Sequence, residues 1–184
     1  MRIAVVCSDL GVRVPGDKGA SMHLTAISQA FAALGHEVLL CGVAGHGPAP
    51  EGVRSLLLAH PGRSTGVERE RRKLAFTEHL VEVAGPVLDD FAPDLVYERL
   101  ALFGTAGLRL ARRTGARHVL EINALLTREE AAWRGLHHTE LAARREHEAL
   151  AAADLRVAVS HEWAEEVRAL VGRHPTVTVP NGVA

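Results

Sequence analysis

The sequence predicts an α/β domain built on a doubly wound, mainly parallel sheet of about seven strands. Three observations lead there. Apolar runs of strand length recur along the chain, as "RIAVVC", "HEVLLCG", "VRSLLLAH", "DLVYER", "RHVLEIN", "LRVAVS" and "TVTVP". Several are continuous rather than alternating, as strands covered on both faces are. Helical periodicity fills most of the gaps between them, and strands alternating with helices make parallel, right-handed crossover units.

The elements follow in order. The first run, Ile3 to Val6, leads into "CSDLGVRVPGDKGASMHL", whose Gly, Pro and polar residues suit neither strand nor helix. Ala20, Leu24, Ile27, Phe31 and Leu34 then recur at three- and four-residue steps and form one apolar stripe, with Gly35 as the stop signal. "GVAGHGPAPEG" is a loop. Further helices are expected from Val67 to Leu88, Leu102 to Arg113, Arg128 to Ala153 with a break near Gly135, and Glu162 to Val171. The charged stretch "ERERRKLAFTEH" reads as a solvated helix face with pairs such as Glu68 and Arg72.

Composition narrows the function. The chain has 184 residues with 47% hydrophobic, enough for one full core. A net charge of −1 argues against a nucleic-acid surface, and 4% aromatics against a stacking platform for single strands. No membrane-spanning run or signal peptide is visible, so a cytoplasmic protein is expected. Cys7 and Cys41 end two strand runs. They read as buried thiols of a reducing compartment, whose sulfurs lie close if the strands are neighbours. No ligand set at metal spacing is present: His137 and His138 fall in a helix break without carboxylate or cysteine partners at ligand spacing.

In an open parallel sheet, ligands bind beyond the carboxyl ends of the strands. The informative residues are therefore Ser8 to Gly19, Gly42 to Gly47, Glu98 and Arg99, Glu121 to Asn123, Ser160 and His161, and Asn181 and Gly182. Gly19 stands at the start of the first helix, where unpaired N–H groups and the helix dipole favour an anion, and Lys18 adds a positive charge. A plain loop is the other reading of this pair. No G-x-G-x-x-G and no P-loop spacing is present, which disfavours an oxidoreductase of the dinucleotide-binding kind. Glu121 and Asn123 point the same way if the strand runs through both. Arg99 suits an anionic group in a cleft, or else bridges Glu98 to fix the loop. His23 faces the cleft or is structural. Ser160 lies at a strand end with no base placed to activate it. Trp133 and Trp163 are expected to pack in the core or between domains rather than to stack on substrate.

The ordered set "MRIAVVCSDLGVRVPGDKGASMHLTAISQAFAALGHEVLLCG", "PDLVYERLALFG", "GARHVLEINALLTREEA", "ALAAADLRVAVSHEWAEEV" and "TVTVPNGV" resembles the amino-terminal domain of GT-B-fold glycosyltransferases of the family 4 (group 1) type. The likeness covers nearly the whole chain. It implies a Rossmann-like, acceptor-side domain over residues 1–180, with 181–184 beginning a hinge to a carboxyl-terminal, donor-binding domain. It also implies retaining transfer from a nucleotide-sugar donor to a small-molecule or glycan acceptor, without a metal or other cofactor. Gly19, with Lys18 beside it, matches the loop that approaches the donor diphosphate. Asn123 stands where many members carry a histidine against the donor sugar, and with Glu121 forms the expected catalytic pair. Arg99, Glu98, His23 and Ser160 are expected along the acceptor cleft. An isolated domain of this kind would be inactive, and its open edge would support self-association. The competing reading is a free-standing, non-catalytic sugar- or nucleotide-binding module, or a scaffold, with the same fold.

Overall fold

The computed structural model describes residues 1–182, so the last part of the expected hinge, Val183 and Ala184, lies outside the described residues. The order is β1 (Arg2–Val6), β2 (Arg13–Val14), α1 (Gly19–Ala33), β3 (Glu37–Ala44), β4 (Arg54–Leu58), α2 (Gly66–Phe91), β5 (Leu95–Arg99), α3 (Ala106–Thr114), β6 (Arg117–Ile122), α4 (Leu126–Trp133), α5 (Thr139–Ala152), β7 (Leu155–Ala158), α6 (His161–Val171) and β8 (Thr176–Thr178). All seven expected strands are present, and every pairing is parallel. The long strands lie in the order β4-β3-β1-β5-β6-β7-β8. The order reverses at β1, so the crevice of this doubly wound sheet opens beyond the carboxyl ends of β1 and β5.

The eighth strand, β2, comes from within the first loop. β3 outruns β1, whose last partner on it is Cys41. Val43 and Ala44 would otherwise lack backbone partners on that side, and Arg13 and Val14 supply them. The Gly45 N–H then bonds the Val14 carbonyl at 2.9 Å. A Cβ on Gly45 would sit 1.7 Å from the Pro15 carbonyl oxygen, so only glycine permits this approach. On the far side of the loop, Lys73 of α2 reaches Asp9 at 3.3 Å.

Side-chain alternation sends Ile3, Val5, Cys7, Leu40 and Tyr97 to the face covered by α1. Ala4, Val6, Cys41 and Val96 go to the opposite face, beneath α2 and α3. Leu120 and Ile122 of β6 continue that second face under α5 and α6. Cys7 and Cys41 are both fully buried and unbridged. Cys41 pairs with Val6, one residue out of step with Cys7, so the two thiols lie on opposite faces despite occupying neighbouring strands. Burial pushes each thiol up to about 12.

Two expectations about α2 and α4 are corrected. Glu68 and Arg72 do form the surface pair, at 3.0 Å. Glu70 and Lys73 of the same run are buried. Glu70 accepts the backbone N–H groups of His137 and His138, both at 2.9 Å, and so anchors the linker between α4 and α5. Periodicity alone does not reveal that another element lies over this charged face. Trp133, expected in the core or between domains, is not in the core: it is 83% exposed at the end of α4. Trp163 does pack, beside the core of α5 and α6, with the Arg128 guanidinium 5.7 Å from its ring centroid.

Candidate functional site

The register of β5 and β6 sets Arg99 directly opposite Glu121, and both face α1. Helix α1 brings His23 to the same point. Glu121, only 2% exposed, is the centre of the cluster. Its Oε2 accepts from the Tyr97 hydroxyl at 2.6 Å and meets His23 Nε2 at 2.8 Å. Its Oε1 accepts from Arg99 Nη1 at 2.5 Å and from Asn123 Nδ2. Burial opposes ionisation of Glu121, but the hydrogen bonds from His23 and Tyr97 and the Arg99 charge outweigh it. They hold the carboxyl at about 2. The same carboxylate, after burial itself, pushes the Tyr97 phenol well above its ordinary value.

Glu121 is therefore a fully engaged anion that orients the groups around it. Asn123 shares its side, as the continued strand direction requires, and its Oδ1 accepts from Asn181 Nδ2 at 3.1 Å. Sequence reasoning missed Tyr97 as a member of this cluster. The available signal was a tyrosine inside a buried strand, because a buried phenol needs a partner.

The amino end of α1 lies one turn from His23. Its first intrahelical bond runs from Met22 N–H to the Lys18 carbonyl, no side chain caps the helix, and its first turn holds no acidic residue. Lys18 and Gly19 are exposed. A Cβ built on Gly19 would meet nothing within 4 Å, so the fold itself does not require glycine there.

Two residues expected along the cleft are engaged by helix ends instead. Glu98 faces away from Arg99, toward α3, and is 1% exposed. Its oxygens accept the N–H groups of Gly107 at 2.8 Å and Leu108 at 3.0 Å, and meet His118 Nε2 at 2.9 Å. Strand alternation separates it from Arg99, so the Arg99–Glu98 bridge does not form and Arg99 pairs with Glu121 instead. Ser160 caps α6, accepting the Trp163 N–H at 3.2 Å, the commonest task of a serine immediately before a helix. Arg99 and His23 remain with the cluster, both turned inward to Glu121. Among the described residues, no group of three or more His, Cys, Asp or Glu is placed to hold a metal ion. No described helix is long and apolar enough to cross a membrane.

The model of Glycosyltransferase Family 4 matches residues 18–184. No curated protein matches the chain. Among solved structures, sucrose-phosphate synthase from Thermosynechococcus elongatus is similar at a TM-score of 0.74 and 20% identity, over 99% of this chain and 48% of that one. Anabaena HepE in complex with UDP-glucose gives 0.59 and 15%, over 100% and 44%. The lipopolysaccharide outer core galactosyltransferase WaaB gives 0.60 and 14%, over 100% and 46%. The chain thus spans about half the length of each of these structures.

Proposed function

The chain belongs to Glycosyltransferase Family 4, and from that membership we propose that it is the amino-terminal, acceptor-side half of a retaining enzyme using a nucleotide-sugar donor. The observation that carries the proposal is the open amino end of α1 beside the Glu121 cluster. A donor diphosphate would lie across Gly19, taking the free N–H groups, with Lys18 beside it. Asn123 would turn its amide to the donor sugar, and Glu121, with Arg99, Tyr97 and His23, would hold Asn123 in place. The bound UDP-glucose of HepE, a protein of the same fold, makes a uridine donor the first to test.

In the proposed reaction, the bond from the anomeric carbon to the diphosphate oxygen breaks. The acceptor hydroxyl oxygen bonds that carbon on the same face. Its proton passes to the leaving diphosphate. This route needs neither a metal nor a side-chain base, which suits an amide at position 123. A carboxyl-terminal domain would hold most of the nucleotide and close the cleft. The 184 residues alone would then transfer no sugar, because one wall of the positioning that supplies about 7–11 kcal/mol would be absent.

The test is sugar transfer from a panel of nucleotide sugars, measured on the intact polypeptide and on this chain. Transfer is expected from the former only. Gly19→Leu should lower kcat/KM by about a hundredfold while the variant stays folded, since even a small displacement of a bound substrate costs that much. Full turnover by the folded variant, or robust transfer by the 184-residue chain, overturns the reading.

A further inference from the structure

The segment that leaves the sheet turns back toward its centre. β8 is the edge strand, paired with β7, and the Val179 N–H extends that ladder to the Ala158 carbonyl at 2.9 Å. Two residues later Asn181 reaches Asn123, which follows β6, two strands in from the edge. At about 4.8 Å per strand, this is a step of about 10 Å across the end of β7.

The contact fixes which way the Asn123 amide faces. An ionised Glu121 can only accept, so it takes the Nδ2 side of Asn123. Oδ1 is left as the acceptor on the other side, and Asn181 Nδ2 donates to it. Asn123 is thus held from both ends, by a buried carboxylate and by the departing chain.

We infer that Asn181 is a positioning residue. It locks the amide that Asn123 presents to the donor sugar, and so makes the path of the departing segment a condition for a competent site. The inference rests on the transferase reading. Asn181 has no contact with the sugar in this scheme and acts through Asn123. A segment placed differently would free Oδ1 and allow the amide to turn, which would blunt transfer without abolishing donor binding.

The experiment has two arms. On the intact polypeptide, Asn181→Ala and Asn181→Asp should each lower kcat about three- to tenfold, the size expected for one net hydrogen bond, with the donor KM little changed. The aspartate is isosteric but sets an acceptor against an acceptor, so it should lose at least as much as the alanine. Asn123→Ala combined with Asn181→Ala should fall no lower than Asn123→Ala alone. On the 184-residue chain without substrate, Asn181→Ala should shift and broaden the side-chain amide NMR signals of Asn123 while the backbone signals of β1 and β3 stay in place. Wild-type kinetics for the aspartate variant, additive losses, or unmoved Asn123 signals overturn the inference. If the wild type transfers no sugar, it is the transferase reading that fails. The NMR arm then decides the Asn181–Asn123 coupling by itself: moved signals keep it, and unmoved signals end it.

Discussion

Two helices begin at the same edge of the sheet, and the protein treats their amino ends in opposite ways. At α3, Glu98 places its carboxylate on the first N–H groups, as a phosphate would. At α1, Glu121 stops one turn short, on His23, and the leading N–H groups have no side-chain cap. The two glycines report the same contrast. A Cβ on Gly107 would lie 2.6 Å from the Cβ of Glu98, whereas one on Gly19 would meet nothing. Gly107 is glycine because of a neighbour inside the fold. Gly19 has no such neighbour, and the fold places no demand for glycine there. A helix end that a protein fills with its own carboxylate is part of the scaffold; one that it leaves uncovered is free for a ligand.

The largest effect that should sharpen this contrast is at the filled end. Glu98→Ala leaves two backbone N–H groups and His118 Nε2 unpaired in the interior, at about 1–3 kcal/mol each. We expect about 4 kcal/mol of lost stability in urea denaturation. Gly107→Ala should follow the same direction at about 1–3 kcal/mol, since Glu98 must be displaced. A loss below about 1 kcal/mol for Glu98→Ala would place α3 on the same footing as α1 and dissolve the distinction.

The next effect concerns acid. Glu121 has its carboxyl held at about 2 against the ordinary glutamate value of 4.5. A depressed folded-state value means that its contribution is fully present above about pH 4.5 and is lost as pH falls through about 2. The gap corresponds to about 3 kcal/mol. Glu121→Gln should therefore flatten the fall in stability between these limits, as followed by denaturant midpoints at successive pH values. An unchanged slope would show that Glu121 is not the fully engaged anion described above.

The smallest effect is expected at the open end. Gly19→Ala should leave stability unchanged or raise it by up to about 1 kcal/mol, because the chain loses unfolded-state freedom and meets no obstacle. A loss of more than about 1 kcal/mol in the same denaturation would mean that the fold, not a ligand, requires this glycine.

Much of the fold was legible in the sequence, and the remainder has identifiable causes. The strand runs, the α1 stripe and its stop at Gly35, which adopts φ +85°, follow from periodicity and backbone freedom. Clustering of the strand ends after β5 and β6 follows from parallel topology. Periodicity does not give strand register, and register decides that Arg99 faces Glu121 while Glu98 turns to α3. Nor does it say which charged helix face meets another element, which is why Glu70 reads as solvated and is in fact buried. Ser160 is different: a serine directly before a helix carries its capping signal in the sequence itself.

The two cysteines give the molecule a pair of separate internal witnesses. Cys7 is sealed by the α1 layer and Cys41 by the α2–α3 layer, each fully covered and each held far from its reactive thiolate form. A thiol reagent can reach one only when its own layer lifts from the sheet. Comparing the two modification rates therefore separates loosening on the α1 side, where the cluster and the open helix end lie, from loosening of the scaffold behind it, with no label added to the chain.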